Sequence, residues 1–135
     1  MVGIVVAAHG RLAEELLRTA EGVVGPLPRT CALSIGGAGG GDGPGALRAA
    51  IAAVDEGEGV VMLTDLLGGS PTNLCLGVLK ERDVEVVTGV NLPMLLKLGA
   101  LRAAHTPPVE LARQLCAAGQ KAIVDASDLV RGYKP

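Results

Sequence analysis

Short apolar runs alternate with amphipathic stretches along this chain, and the alternation limits what it can fold into. Four runs are too short for helices and are predicted as strands, at residues 2–8, 30–35, 60–64 and 84–88. The first is apolar throughout, which is typical of a strand buried on both faces. Between the runs, apolar residues recur at helical spacing over about ten to fifteen residues, long enough to connect parallel strands.

The pattern predicts an α/β fold: a three-layer sandwich with a mostly parallel central sheet, strand order 2-1-3-4, and helices on both faces. The third helix is expected to begin with Ser70 as N-cap and to run to about Arg82, and Thr106 is expected to cap the last helix. A final strand is predicted at residues 122–126. Because 135 residues suffice for one such core and not for two, we expect a single domain over residues 1–135.

Charge and aromatic content exclude several classes of partner. The 12 basic and 14 acidic residues form no basic cluster, so we expect no nucleic-acid binding. There is no Trp, no Phe and one Tyr, so stacking surfaces for bases or sugars are missing.

No apolar run is long enough to span a bilayer and the first residues lack a signal peptide's basic flank, which predicts a cytoplasmic protein without membrane insertion. The three cysteines match neither a disulfide framework nor a zinc site, so no metal is expected.

His9 directly follows the first predicted strand and directly precedes a helix. Its side chain is therefore expected at the carboxyl edge of the sheet, where sites form in such folds. Gly10 permits a tight turn, and the first N–H groups of the helix, from Gly10 through Arg11 to Leu12, can bind an anion. Together the histidine, these amides and the Arg11 guanidinium favour phosphate chemistry.

Asp65 ends the third predicted strand at the equivalent place. If the first and third strands are neighbours, about 4.8 Å apart, His9 and Asp65 come within hydrogen-bond reach. A carboxylate that accepts from one ring nitrogen fixes the tautomer, leaves the other nitrogen as a nucleophile and stabilises the charge that develops as phosphate bonds. The residues alone leave a second interpretation open, in which His9 is a hydrogen-bonded strand end and Asp65 serves only the turn before Gly68.

Three further features have competing interpretations. Ser70 can cap its helix and can also present its hydroxyl to a phosphate. The glycine tract at residues 36–45 contains a G-x-G-x-x-A pattern at 41–46, which would suit a nucleotide-binding module. Glycines are so dense there that such spacing arises by chance, and a loop near the site is the favoured interpretation. His105 precedes a helix junction and is given no function.

Three motifs occur in order along the chain: Val-Val-Ala-Ala-His-Gly at residues 5–10 with the Leu-Ala-Glu-Glu-Leu-Leu helix after it, Leu-Thr-Asp-Leu-Leu-Gly-Gly-Ser-Pro-Thr-Asn at 63–73, and Gly-Val-Asn-Leu-Pro-Met-Leu at 89–95. In combination they resemble the mannose-type IIA component of the bacterial phosphoenolpyruvate-dependent sugar phosphotransferase system. The two later motifs are specific together, whereas the His-Gly pair alone is weak.

The resemblance implies a phosphotransferase in which His9 accepts a phosphoryl group from the carrier protein HPr and passes it to a IIB partner, with no metal or nucleotide cofactor. It also implies that Asp65 hydrogen-bonds the imidazole and that Ser70 lies beside the phosphate. The rim of the predicted site comprises Gly10, Arg11, Ser70 and Asn91.

The resemblance further implies a homodimer in which the C-terminal strand crosses to the other subunit. Leu66 and Leu67 stand where the family commonly has polar or aromatic residues, which changes the expected docking rim and hence the partner.

Two alternatives to a transport carrier remain from the sequence. Phosphorylated His9 could act as a signal that changes binding to a regulator, since a surface phosphate can gate docking. The 41–46 turn could instead make the chain a nucleotide-binding module.

Overall fold

A computed structural model of the chain describes residues 1–35, 43–66, 70–79, 83–103 and 105–132. Four strands alternate with helices, and two more helices follow. The strands are β1 (Gly3–His9), β2 (Thr30–Ile35), β3 (Val60–Thr64) and β4 (Val84–Thr88). The helices are α1 (Leu12–Val24), α2 (Gly43–Val54), α3 (Ser70–Gly77), α4 (Leu92–Arg102), α5 (Pro108–Lys121) and α6 (Ala126–Arg131).

The four strands form one parallel sheet in the order β2-β1-β3-β4, which confirms the predicted fold class and strand order. His9 pairs with Ile35 of β2, and Ala7 pairs with Thr64 of β3. The carboxyl ends of the three strands therefore lie at one edge of the sheet. Loops that follow these strands meet there.

The core lies on both faces of the sheet because side chains of a strand point alternately to opposite faces. Ile4, Val6 and Ala8 of β1 pack among residues of α1, α4 and α5 on one face. Val5 and Ala7 pack among residues of α2 and α3 on the other. The first strand is thus buried on both sides, as its unbroken apolar run predicts.

The predicted strand at residues 122–126 is wrong. Asp125 instead caps α6, where its carboxylate accepts from the N–H groups of Ser127 at 3.0 Å and Asp128 at 3.3 Å. Gly132 ends the helix in the left-handed conformation, with φ of 76°. An N-cap aspartate before the helix and a glycine after it are strong local signals, and here they prevail over a short apolar run.

Two helix boundaries also differ from the prediction. α3 ends at Gly77 rather than near Arg82, since glycine disfavours helix continuation, and Val78 and Leu79 follow in a turn. The N-cap of α5 is Pro107 instead of Thr106, and the helix begins at Pro108. Proline already supplies the extended backbone that an N-cap position needs.

Most of the glycine tract, residues 36–42, lies outside the described part of the chain, and the predicted 41–46 nucleotide-binding turn lies partly there. Residues 43–46 form the first turn of α2. Among the helices that the structure describes, none has the length and apolar character to cross a membrane.

Candidate functional site

His9 and Asp65 meet at the carboxyl edge of the sheet. His9 is the last residue of β1, and Asp65 directly follows β3, the neighbouring strand. Nδ1 of the His9 ring lies 2.7 Å from Oδ2 of Asp65. The same oxygen accepts the backbone N–H of His9 at 3.0 Å. The expected proximity of imidazole and carboxylate is therefore present.

Asp65 is the more buried member of the pair. Its side chain is 10% exposed, whereas that of His9 is 43% exposed. Oδ1 of Asp65 accepts the N–H of Leu66 at 3.0 Å, so both carboxylate oxygens are hydrogen-bonded. Partial burial by itself would raise the pKa of Asp65, but the hydrogen bonds from the His9 amide and ring outweigh it, and the net pKa is lowered. Asp65 is thus held as a carboxylate at neutral pH.

This contact fixes the tautomer of His9. An ionised carboxylate can only accept hydrogen bonds, so Nδ1 of the neutral ring must carry the hydrogen. Nε2 is then left with its lone pair. Because the side chain is nearly half exposed, an incoming group can reach the ring. The arrangement makes Nε2 a nucleophile oriented by Asp65.

The turn from β1 into α1 presents backbone amides beside His9. Gly10 has a φ of 56°, a conformation that favours glycine. Arg11 is the N-cap of α1, and its side chain makes no capping hydrogen bond to the first turn. Ser34, at the end of β2, donates its hydroxyl hydrogen to the Gly10 carbonyl and holds the turn in place. Uncapped first-turn N–H groups with the helix dipole behind them suit an oxyanion.

The Arg11 side chain forms ion pairs on its own helix. Its guanidinium lies 3.5 Å from carboxylate oxygens of both Glu14 and Glu15 on its own helix, and it is 74% exposed. Ion pairs this exposed are weak, so the guanidinium can leave them at little cost. A part for the side chain in phosphate binding stays a prediction.

Asn91 has two structural contacts. Its Oδ1 accepts the N–H of Met94 at 3.2 Å and so caps α4. Its Nδ2 donates to the carbonyl of Gly119 on α5 at 3.1 Å. These bonds use both polar ends of the side chain to join β4, α4 and α5, and its predicted place on the site rim stays a prediction.

Ser70 begins α3, but its side chain lies outside the described part of the chain, as do residues 67–69 before it. Its predicted place beside the phosphate therefore stays a prediction. His105, the other histidine, is 88% exposed, with its Nδ1 3.1 Å from Oε1 of Glu58. Glu58 lies just before β3, so His105 is at the opposite edge of the sheet from His9.

Two buried threonines that no sequence pattern predicts lie under the loop that carries Asp65. The hydroxyls of Thr64 and Thr72 are 2.5 Å apart, and the Thr72 hydroxyl donates to the Leu66 carbonyl at 2.6 Å. Both side chains are fully buried. A polar residue in the first turn of α3 is ordinary in sequence, so only the fold reveals these contacts. Within the described residues, no three His, Cys, Asp or Glu side chains are grouped to hold a metal ion.

A family model described as the PTS system fructose IIA component, EIIA-man, matches residues 3–115. The chain is 34% identical over 101 residues to the PTS system mannose-specific EIIAB component of Escherichia coli strain K12. That match covers 71% of this chain and 30% of the relative, so it spans about a third of the relative's length.

Solved structures agree with this similarity. The fold is similar to that of the phosphotransferase system component EIIA from Streptococcus agalactiae, with a TM-score of 0.83, 27% identity, and coverage of 94% of this chain and 98% of that one. It is also similar to the mannose/sorbose-specific IIA subunit from Enterococcus faecalis, with a TM-score of 0.73, 30% identity, and coverage of 91% and 92%.

Proposed function

The chain belongs to the EIIA-man family of phosphotransferase-system IIA components, which carry phosphoryl groups in sugar phosphotransfer, and we propose that His9 is the residue that carries the group here. The observation that supports the assignment most directly is the 2.7 Å contact between Nδ1 of His9 and Oδ2 of Asp65. It leaves the Nε2 lone pair free as the nucleophile, on the more exposed member of the pair.

In the proposed reaction, the Nε2 lone pair attacks the phosphorus of a phosphohistidine on HPr. The N–P bond to the HPr ring breaks as the bond to Nε2 forms, and the HPr ring leaves with the electron pair of the broken bond. His9 keeps its Nδ1 hydrogen, so its ring becomes cationic. The carboxylate of Asp65, 2.7 Å from Nδ1, stabilises that charge. Transfer to the acceptor reverses these steps.

The amides at the start of α1 are proposed to bind the phosphoryl oxygens. They directly follow His9 in the chain, and the side chain of the N-cap residue, Arg11, does not cap them. Gly10 and the backbone of Arg11 belong to this turn, and Ser70 is proposed to contribute at the start of α3. Backbone donors of this kind are held in place before the reaction and need no reorganisation during it.

HPr is proposed as the donor and a IIB protein as the acceptor. The Escherichia coli relative is named an EIIAB component, and this chain corresponds to 30% of it, which supports a IIB unit as the acceptor. An apolar rim at the site supports protein docking: Leu66, beside Asp65, is 50% exposed, and Leu12, at the start of α1, is 45% exposed. Exposed leucines beside a half-exposed histidine suit a transient protein interface.

A homodimer is proposed through the C-terminal segment. Residues 120–132 are exposed along their whole length in the single chain. Four large apolar side chains of the segment are exposed by half or more: Ile123, Val124, Leu129 and Val130. Such a surface favours burial against a second copy. Sedimentation of the wild type is expected to give a dimer and that of Val130→Asp a monomer, and a monomeric wild type would contradict the proposal.

The carrier role is tested by incubating the protein with phosphoenolpyruvate, the general phosphotransferase enzyme and HPr. We expect acid-labile, alkali-stable phosphate on the wild type and on His105→Ala, and none on His9→Ala. His105→Ala is the matched control because it removes the other histidine, at the opposite edge of the sheet. Equal labelling of His9→Ala and wild type would refute the assignment.

A further inference from the structure

The contacts of Thr72 reach the residues on both sides of Asp65. Thr72 is in the first turn of α3, and its side chain is fully buried. Its hydroxyl donates to the Leu66 carbonyl at 2.6 Å. A hydroxyl has one hydrogen, so the 2.5 Å contact with Thr64 must be donated by Thr64. The two hydroxyls thus form a directed chain from Thr64 through Thr72 to Leu66.

This chain of hydrogen bonds continues to the histidine. Leu66, held through its carbonyl by Thr72, donates its N–H to Oδ1 of Asp65 at 3.0 Å. Oδ2 of Asp65 accepts from His9. Thr64, at the other end, is fixed in the sheet, and its carbonyl accepts the N–H of Val90 at 2.9 Å. The loop that carries Asp65 is therefore anchored on one side by β3 and on the other by α3 through Thr72.

We propose that Thr72 is a positioning residue for phosphoryl transfer: its buried hydroxyl holds the Asp65 carboxylate in the orientation that keeps Nδ1 of His9 protonated. The inference rests on the proposed carrier function of His9. Leu66 is half exposed, and without the Thr72 bond its carbonyl can turn to water. Asp65 then has two orientations where it had one, and the Nε2 lone pair is no longer held toward the incoming phosphorus. Misplacement by about 1 Å is enough to slow a reaction roughly a hundredfold.

Thr72→Val removes the hydroxyl at nearly constant volume, and Thr72→Ser keeps it. Thr72→Ala is a second variant without the hydroxyl, for use where valine does not pack. Val54→Ala is the control for general destabilisation, because Val54 is buried beside Gly3, at the amino end of β1 and far from His9. Each protein is labelled with ¹⁵N-histidine, and the tautomer of His9 is read at neutral pH from long-range ¹H–¹⁵N correlations. The rate of phosphoryl transfer from phospho-HPr is measured on the same samples.

The wild type, Thr72→Ser and Val54→Ala are expected to give one tautomer, with the hydrogen on Nδ1. Thr72→Val and Thr72→Ala are expected to give a mixture of tautomers, and to accept phosphate roughly ten- to hundredfold more slowly. A single Nδ1–H tautomer and a wild-type rate in Thr72→Val or Thr72→Ala would overturn the inference. The tautomer reading needs no phosphate donor, so failure of the carrier function, seen as no labelling of the wild type, is distinguishable from failure of the role of Thr72.

Discussion

Oδ2 of Asp65 accepts two hydrogen bonds from one residue, His9: one from ring Nδ1 at 2.7 Å and one from the backbone N–H at 3.0 Å. The two residues are 56 positions apart in the chain and meet because β1 and β3 are neighbours in the sheet. A single oxygen therefore fixes the ring relative to the strand that carries it. The sheet thus orients the imidazole, and the nearly half-exposed ring stays open to an incoming group.

Replacement of Asp65 by Asn removes the negative charge and keeps the shape. Since the proposed mechanism has the carboxylate stabilise a cationic His9 ring during transfer, we expect Asp65→Asn to accept phosphate from phospho-HPr roughly a hundredfold more slowly. Rapid-quench labelling measures this rate. Asp55→Asn is the matched control, because Asp55 lies at the end of α2, at the opposite end of the strands from His9. This variant should accept phosphate at the wild-type rate. A normal rate for Asp65→Asn would remove the carboxylate from the mechanism.

Burial of the Cys75 thiol is expected to lower the free energy of unfolding at alkaline pH. Burial on α3 raises the pKa of its thiol to about 12, whereas the thiol of the unfolded chain ionises near about 8.5. A raised pKa means that the contribution of Cys75 to stability is complete below about pH 8.5 and is lost as the pH rises toward 12. From pH 8 to 10.5, the free energy of unfolding should fall by roughly 2–3 kcal/mol more in the wild type than in Cys75→Ala. Urea titrations at the two pH values measure the difference, and equal losses in both proteins would contradict the prediction.

Arg102 joins three segments at the sheet edge opposite the site. Its guanidinium is buried, and it donates to the carbonyls of Val2 at 2.9 Å and Pro28 at 2.7 Å and to the hydroxyl of Thr30 at 3.2 Å. Burial lowers the pKa of Arg102, so the buried charge opposes part of what these bonds contribute. We expect the hydrogen bonds to contribute more to the free energy of unfolding than burial of the charge takes away.

Arg102→Leu is therefore expected to lower the free energy of unfolding by about 2 kcal/mol, because it removes the buried donor of all three hydrogen bonds. Urea denaturation measures this change, with the exposed Arg113→Leu on α5 as the control. The rate of phosphoryl transfer per folded molecule should stay at the wild-type value, since Arg102 is far from His9 along the strands. An unchanged or raised unfolding midpoint would contradict the prediction.

The sheet could be predicted from sequence because each strand is marked by an apolar run within its own residues. The apolar runs of β2, β3 and β4 coincide with the observed bounds, and helical lengths between them require parallel connections. The C-terminal segment was predicted wrongly because its residues contact little of the folded chain. There the short apolar run at Ile123 and Val124 carries less information than the capping signal of Asp125.

The site could be predicted only in part. His9 and Asp65 each follow a recognisable strand, so their meeting follows from the strand order. The hydroxyl contacts of Thr72 and Ser34 and the amide contacts of Asn91 depend on where helices and loops pack, which no local pattern encodes. Arg102 is similar, since a buried cation held by carbonyls has the same appearance in sequence as an exposed arginine at a helix end.

The nitrogen that carries the phosphate on the phosphorylated protein decides whether His9 is oriented by Asp65 for transfer. The ¹⁵N-histidine-labelled protein is phosphorylated through HPr, and long-range ¹H–¹⁵N correlations with ³¹P coupling identify the nitrogen bonded to phosphorus. We expect phosphorus on Nε2 of His9, with Nδ1 still protonated toward Asp65 and the His105 ring unchanged. Phosphorus on Nδ1 of His9, or on His105, would contradict this expectation.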